Sequence, residues 1–387
     1  MILNFSQNRI RQLFLLVCLA IVLAISNAIE VSAIPTKAEQ ALIVEFNTGK
    51  VLLAKNAETP MHPASMTKIM TAYMIFDRLK EGLLSLDTRF RVSRNAWRKR
   101  GSKMFLRENK YVRIEDLIRG IIVQSGNDAS IAVAEGISGN EEDFARDMTL
   151  KAREIGMANT TFKNASGWPD AQHLTTAHDL ATLIESTIKE YPEFYHYYSE
   201  KEFTYANIRQ YNRNPLLRLN MGVDGLKTGH TDVAGYGLAA SAIREGRRLV
   251  LVINGLKSKR DRARESEYLL NWAFRTFKNY KLFSAGETIT TASVWLGDAE
   301  KVPLVVDQDF VITIKRRARA NMKVIARLTE PISAPIRKGD LLGHLLVFVP
   351  GEKKIEVPLK AGADVSDLGT IGRMTAIINH LLWGSSH

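Results

Sequence analysis

Ser65-Met66-Thr67-Lys68 is the stretch that decides this sequence, because Ser125-Gly126-Asn127 and Lys227-Thr228-Gly229 follow it in that order. Each short run alone is common. Together they spell an acyl-transfer site. A serine hydroxyl is a poor nucleophile until a base takes its proton. Residues three apart on a helix share a face, so the Ser65 hydroxyl and the Lys68 amine can meet. A lysine with its ordinary pKa of about 10.4 is charged at neutral pH and useless as a base. Burial disfavours the charged form and a second cation pushes the same way, with Lys227 the natural candidate.

The surroundings supply that burial. From Pro63 to about Lys80 the pattern is helical, with Gly82 as its stop. Met66, Ile69, Met70, Tyr73, Met74, Ile75 and Phe76 surround this helix on nearly all sides, and a helix apolar all round is a buried one. Pro63 sets Ser65 near the helix N-terminus, where backbone N–H groups carry partial positive charge. One of them, with an N–H from the Lys227–His230 strand, is expected to stabilise the oxyanion of a tetrahedral intermediate. Ser125 is expected to relay a proton to a leaving amine, and Asn127 to bond substrate or Lys68. Lys227 and Thr228 are expected to hold a substrate carboxylate.

Around this site the pattern predicts a hairpin of Ala41–Glu45 and Lys50–Ala54 about Asn47-Thr48-Gly49. Helices are predicted over 115–137, 141–156, 175–190 and about Asp261 to Phe277. Ala234–Ile243 and Arg248–Leu256 read as a second strand pair. Strands at both ends with helices between predict one antiparallel sheet flanked by helices, an α/β (α+β) domain spanning 34 to about 280. From 281 to 365 short strand-like runs alternate with turns and predict a small all-β domain with a spacer or docking role. In the tail, 366–387, Ile371, Met374, Ile377, Ile378, Leu381 and Leu382 fall on one helical face. That helix is too short and too amphipathic to span a bilayer, so it is expected to lie in the membrane interface.

At 387 residues, 45% hydrophobic and 24% charged, the composition is that of a folded soluble protein. Residues 1–33 stand apart. Arg9 and Arg11 precede the apolar run Leu13 to Ile25, and Val31-Ser32-Ala33 puts small residues at a cleavage position. This reads as a secretory leader that leaves Ile34 as first residue, with Ser26-Asn27-Ala28 a second possible cut. Cys18, the single cysteine, lies inside the leader, so neither disulfide nor thiol chemistry is expected after cleavage. No cofactor or metal is expected. The net charge of +12 invites a nucleic-acid reading. An exported protein with scattered basic residues, the densest run taken as Lys315-Arg316-Arg317-Ala318-Arg319 in a strand-like stretch, fits anionic lipid or cell wall better.

Three segments carry a resemblance: His62 to Lys68, Ser125-Gly126-Asn127-Asp128-Ala129, and Val223 to Thr231. They resemble the D-alanyl-D-alanine carboxypeptidases, the low-molecular-mass penicillin-binding proteins of peptidase family S11. Asn159 to Gly167 and Gly235-Tyr236 fit as well. The likeness covers about residues 37 to 275, and the β domain and tail resemble the family's C-terminal half more loosely. It implies a penicillin-binding-protein/β-lactamase-like fold and removal of the terminal D-alanine from peptidoglycan stem pentapeptides through an acyl-serine. It also implies binding of β-lactam antibiotics. Ser65, Lys68 and Ser125 would be catalytic; Asn127, Lys227, Thr228, Gly229 and His230 would bind substrate. Two family arginines near the carboxylate site match Arg213 and Arg262. Two rivals remain open: a class A-like β-lactamase, which needs a water-activating glutamate absent from Thr160–Pro169, and a non-catalytic peptidoglycan-binding or scaffolding protein.

Overall fold

The computed structural model describes residues 34–369 except Thr329, together with Gly372 and Met374. The leader expected over 1–33 and, apart from those two positions, the amphipathic helix expected over Ile371–Leu382 lie outside the described residues. No helix among the described residues is long and apolar enough to cross a membrane.

Five antiparallel strands form the central sheet, in the order Val51–Lys55, Gln40–Glu45, Arg247–Leu256, Gly235–Arg244 and Val223–Thr231. The chain ends of this unit therefore meet in its middle, as the sequence pattern predicts. Successive residues of a strand point to opposite faces, and here both faces are covered. Leu42, Val44, Val250 and Val252 join the core of helices on one side. Ala41, Ile43, Leu251 and Ile253 pack against Leu269, Leu270 and Ala273 of the Lys259–Thr276 helix on the other. That is why these strands read as apolar runs rather than as an alternation.

The central helix, Lys68–Lys80, is buried at every position from Lys68 to Phe76. Its entry differs from the expectation of one continuous helix: Ala64–Thr67 forms a tighter 3-10 turn first, with Ala64 at φ 48°. The expected helix over 115–137 is two helices, Ile114–Ile122 and Asn127–Ser138. Ser125, at φ 65°, reverses the chain between them. Periodicity missed the break because both halves are apolar on the same core, so hydrophobic spacing continues across it.

From Phe277 to Ala361 the described residues form strands, turns and a single 3-10 turn. Phe277–Phe283 pairs with Phe310–Lys315, and six further strands form a second sheet around Ala292, Val302, Leu304, Leu345 and Leu359. The basic run expected in a strand leaves it at Lys315, and Arg316–Asn321 is an exposed 3-10 turn. The Asn47-Thr48-Gly49 turn joins the two units. Thr48 Oγ1 lies 2.6 Å from Thr313 Oγ1, and buried Glu45 accepts from Asn279 Nδ2 at 2.8 Å. Lys50 pairs with Glu352 at 2.7 Å.

Candidate active site

Three separate pieces of chain converge on one cleft of about 610 Å³. The 3-10 turn before the central helix brings Ser65, the reversal between two helices brings Ser125, and the edge strand Val223–Thr231 brings Thr228, Gly229 and His230. Arg213 and Arg262 line the same space. Lys68 stands behind Ser65 and donates to it and to Asn127, and Lys227 is a buried residue of the strand, its Nζ donating to the Thr228 carbonyl at 3.2 Å. Every site residue read from the sequence thus belongs to this neighbourhood, though Lys68, Asn127 and Lys227 do not line the open cleft.

Two glycines allow the pieces to approach. A Cβ on Gly167, whose φ is +75°, would stand 1.8 Å from the Ala64 carbonyl. A Cβ on Gly229 would stand 2.8 Å from the Pro63 carbonyl. The Ser166-Gly167 loop and the Lys-Thr-Gly strand are pressed on the turn that carries Ser65 from two sides.

Lys68 is fully buried, and its Nζ meets three acceptors: the Ser166 carbonyl at 2.6 Å, Asn127 Oδ1 at 2.8 Å and Ser65 Oγ at 3.2 Å. Burial, and after it the Arg213 charge, lowers its pKa to about 7. The second cation acting on Lys68 is therefore Arg213, where the sequence pointed to Lys227. Lys227 is itself pushed well below the usual lysine range, by burial first and then by Lys68, Arg213 and Arg262. The acid–base geometry of Ser65 thus has a proton acceptor poised near neutrality.

Ser125 Oγ is buried and has no hydrogen-bond partner among the described residues. It lines the cleft, so its satisfaction falls to whatever occupies that space. Arg262 is also buried, with Nε unpartnered among the described residues; burial lowers it to about 10, which leaves it charged at neutral pH. Its guanidinium sits 5.9 Å from the Tyr236 ring, which stacks on His230 at 3.8 Å. Arg213 Nη1 donates to Ser102 Oγ at 2.6 Å. The cleft's cations select for an anionic ligand end.

Sequence reading missed Ser102 and Lys259, which line the cleft. Neither stands in a motif. It also gave no role to Asp128, whose carboxylate takes the Met104 and Leu106 N–H groups at 3.0 and 3.1 Å and ties the loop after residue 100 to the Ser125 reversal. The signal for Asp128 was available, since a buried acid directly after Ser-Gly-Asn needs partners.

A family profile described as D-alanyl-D-alanine carboxypeptidase matches residues 27–258, and one described as the C-terminal domain of penicillin-binding protein 5 matches residues 277–367. The chain is 39% identical over 341 residues to the D-alanyl-D-alanine carboxypeptidase DacC of Escherichia coli (strain K12), covering 86% of this chain and 85% of that one. Against DacF of Bacillus subtilis (strain 168) the identity is 33%, over 88% of this chain and 89% of that one. Penicillin binding protein 5 from Haemophilus influenzae superimposes with a TM-score of 0.77 at 36% identity, over 86% of this chain and 99% of that one. Penicillin-binding protein D2 from Listeria monocytogenes, solved in an ampicillin-bound form, superimposes with a TM-score of 0.58 at 28% identity, over 62% and 98%. By both sequence and fold, this chain belongs to the D-alanyl-D-alanine carboxypeptidase family, serine hydrolases of the penicillin-binding fold.

Proposed function

We propose that the chain removes the terminal D-alanine from peptidoglycan stem pentapeptides through an acyl-enzyme on Ser65. The observation that carries this reading is the Lys68 amine, held 3.2 Å from Ser65 Oγ and lowered to about 7. In the neutral form Lys68 takes the Ser65 proton as Oγ attacks the carbonyl of the penultimate D-alanine. The Ser65 N–H and one on the Lys-Thr-Gly strand face the oxyanion. The intermediate collapses with loss of the terminal D-alanine, whose amine receives a proton by way of Ser125. Water then attacks the ester with Lys68 again as base, and Ser65 Oγ regains its proton. Arg213, Arg262, Thr228 and His230 hold the terminal carboxylate, Lys227 braces Thr228 from behind, Gly229 leaves room for the peptide backbone, and Asn127 orients Lys68. β-Lactams enter the same cleft and acylate Ser65.

The proposed setting is periplasmic. Residues 1–33 serve as a cleaved leader, 34–280 as the catalytic domain, 281–365 as the β domain, and 366–387 as a helix lying on the inner membrane. Mass spectrometry of the penicillin adduct, with D-alanine release from a pentapeptide, tests the chemistry. A slowly lost adduct on the Ser65 peptide together with D-alanine release supports the reading. An adduct on another residue overturns it.

A further inference from the structure

The catalytic unit carries a charged surface that the reaction does not use. Residues 89–113 hold ten lysines and arginines against the single acid Glu108, within a chain whose whole net charge is +12. Arg113 is compensated, by Asp87 and Glu115 at 2.8 Å each. Among the described residues, Arg94, Arg98, Lys99, Arg100, Arg107 and Lys110 have no ion-pair partner. Val92 bonds Lys110 and Asn109 across a hairpin, which brings the two halves of the segment together. Like charges gathered without counterions repel one another and destabilise the compact state. Trp97 and Phe105, 40% and 49% exposed, stand in the same segment.

This ridge is wired to the cleft. Asn127, the partner of Lys68, donates its backbone N–H to the Ser102 carbonyl at 2.7 Å and its Nδ2 to the Arg100 carbonyl at 2.9 Å. Lys99 Nζ lies 5.0 Å from the ring centre of Trp168, and its charge reaches Lys68. Trp168 in turn borders a second cavity of about 370 Å³ that runs from Pro63 and Ala64, beside Ser65, to Thr231. The ridge begins where the cleft ends.

Resting on the reading of this cleft as a peptidoglycan carboxypeptidase, we propose that the Arg94–Lys110 ridge is an exosite for the carboxylates of polymeric cell wall. It grips stem peptides neighbouring the one being cut. The wall repeats free peptide carboxylates along each strand, so several of them can face several fixed cations at once, and effective concentration then multiplies weak contacts. A lipid surface offers anions too, but nothing about a bilayer requires its contact to share backbone bonds with Asn127. The exposed Trp97 and Phe105 offer apolar faces for peptide and sugar beside the cations.

The test compares the full-length enzyme with an Arg94→Gln/Arg98→Gln/Arg107→Gln variant on two substrates. One is insoluble peptidoglycan bearing pentapeptides; the other is a diacetylated Lys-D-Ala-D-Ala tripeptide whose one carboxylate is the reacting terminus. The wild type should lose rate on the polymer as salt rises and change little on the tripeptide. The variant should be about tenfold slower on the polymer at low salt, with a flattened salt response, and equal to wild type on the tripeptide and in penicillin labelling. Equal polymer rates would overturn the proposal. So would a variant that loses only binding to vesicles of anionic phospholipid, or one that slows equally on both substrates, which marks a structural role. A wild type inactive on both substrates would instead overturn the underlying reading of the cleft.

Discussion

Lys68 Nζ sits 2.6 Å from the Ser166 carbonyl, closer than it sits to Ser65 Oγ at 3.2 Å. The base is therefore positioned by a loop 98 residues away in sequence rather than by the helix it stands on. A neutral amine donates two protons, so with Ser166 and Asn127 as acceptors its lone pair is free to turn to Ser65. The protonated form satisfies all three neighbours.

Acylation should follow the neutral form of Lys68, rising with pH to half its maximum near 7. Because the Arg213 charge is the largest electrostatic contribution lowering Lys68, Arg213→Ala should move this acid limb to higher pH. Lys227→Ala should move it less. Stopped-flow acylation by a penicillin across pH measures both, and an unmoved midpoint in Arg213→Ala removes Arg213 from control of the base.

Ser65→Ala should fold as the wild type does and lose both D-alanine release and penicillin labelling. Lys68→Ala should lose acylation by a factor of at least about 10², the ordinary worth of a positioned general base. Residual labelling of the Ser65 variant in a denaturing gel would sink the mechanism.

His173 gives the fold a pH dependence of its own. Its Nδ1 accepts the Lys163 N–H at 3.2 Å, which leaves Nε2 to donate to Thr67 Oγ1 at 2.9 Å. Burial lowers its pKa from 6.5 to about 4. Between those values the unfolded chain binds the extra proton, so stability falls as pH drops from 6.5 to 4, by on the order of 3 kcal/mol. Below 4 this contribution is constant. Thermal melts of His173→Gln should show a weaker decline over that window; an identical decline assigns it to other groups.

Gly167→Ala should cost about 1–3 kcal/mol, since the residue is held at φ +75° and its Cβ would strike the Ala64 carbonyl. Relief of that contact displaces the Ser166 carbonyl from Lys68, so acylation should fall more than the melting temperature suggests. A stable variant with unchanged acylation would show that the loop does not position the base.

Deleting residues 368–387 should release the protein from the membrane fraction while leaving tripeptide hydrolysis nearly intact. Continued sedimentation of the shortened protein with membranes would refute the anchoring role.

The sheet and the central helix were legible because their signals are local and strong: apolar runs of strand length, and a helix apolar on every side. The three motifs named the residues of the cleft because the chemistry restricts their types. What stayed hidden is where backbone does the work. Ser166 contributes a carbonyl, which any residue carries, and Ser125 owes its place to a left-handed turn that periodicity reads through. The assignment of the second cation failed for another reason. Sequence named Lys227 as that cation because it stands in a motif, and only the fold shows that burial pushes Lys227 well below the usual lysine range. Arg94 to Lys110 escaped notice because, apart from Arg98-Lys99-Arg100, its cations are separated by other residues and only the fold gathers them.

Thr48 touches Thr313, Asn279 reaches Glu45, and Lys50 meets Glu352, so a single tight turn is clasped by the second unit. The orientation of Ser65 is thereby referred to the β strands beyond Phe277. In the proposed setting, with the tail lying on the inner membrane, this converts attachment into aim: the β unit sets the height and bearing from which the cleft meets the wall. Lengthening or tilting that pedestal would change which pentapeptides are reached without altering an atom of the chemistry.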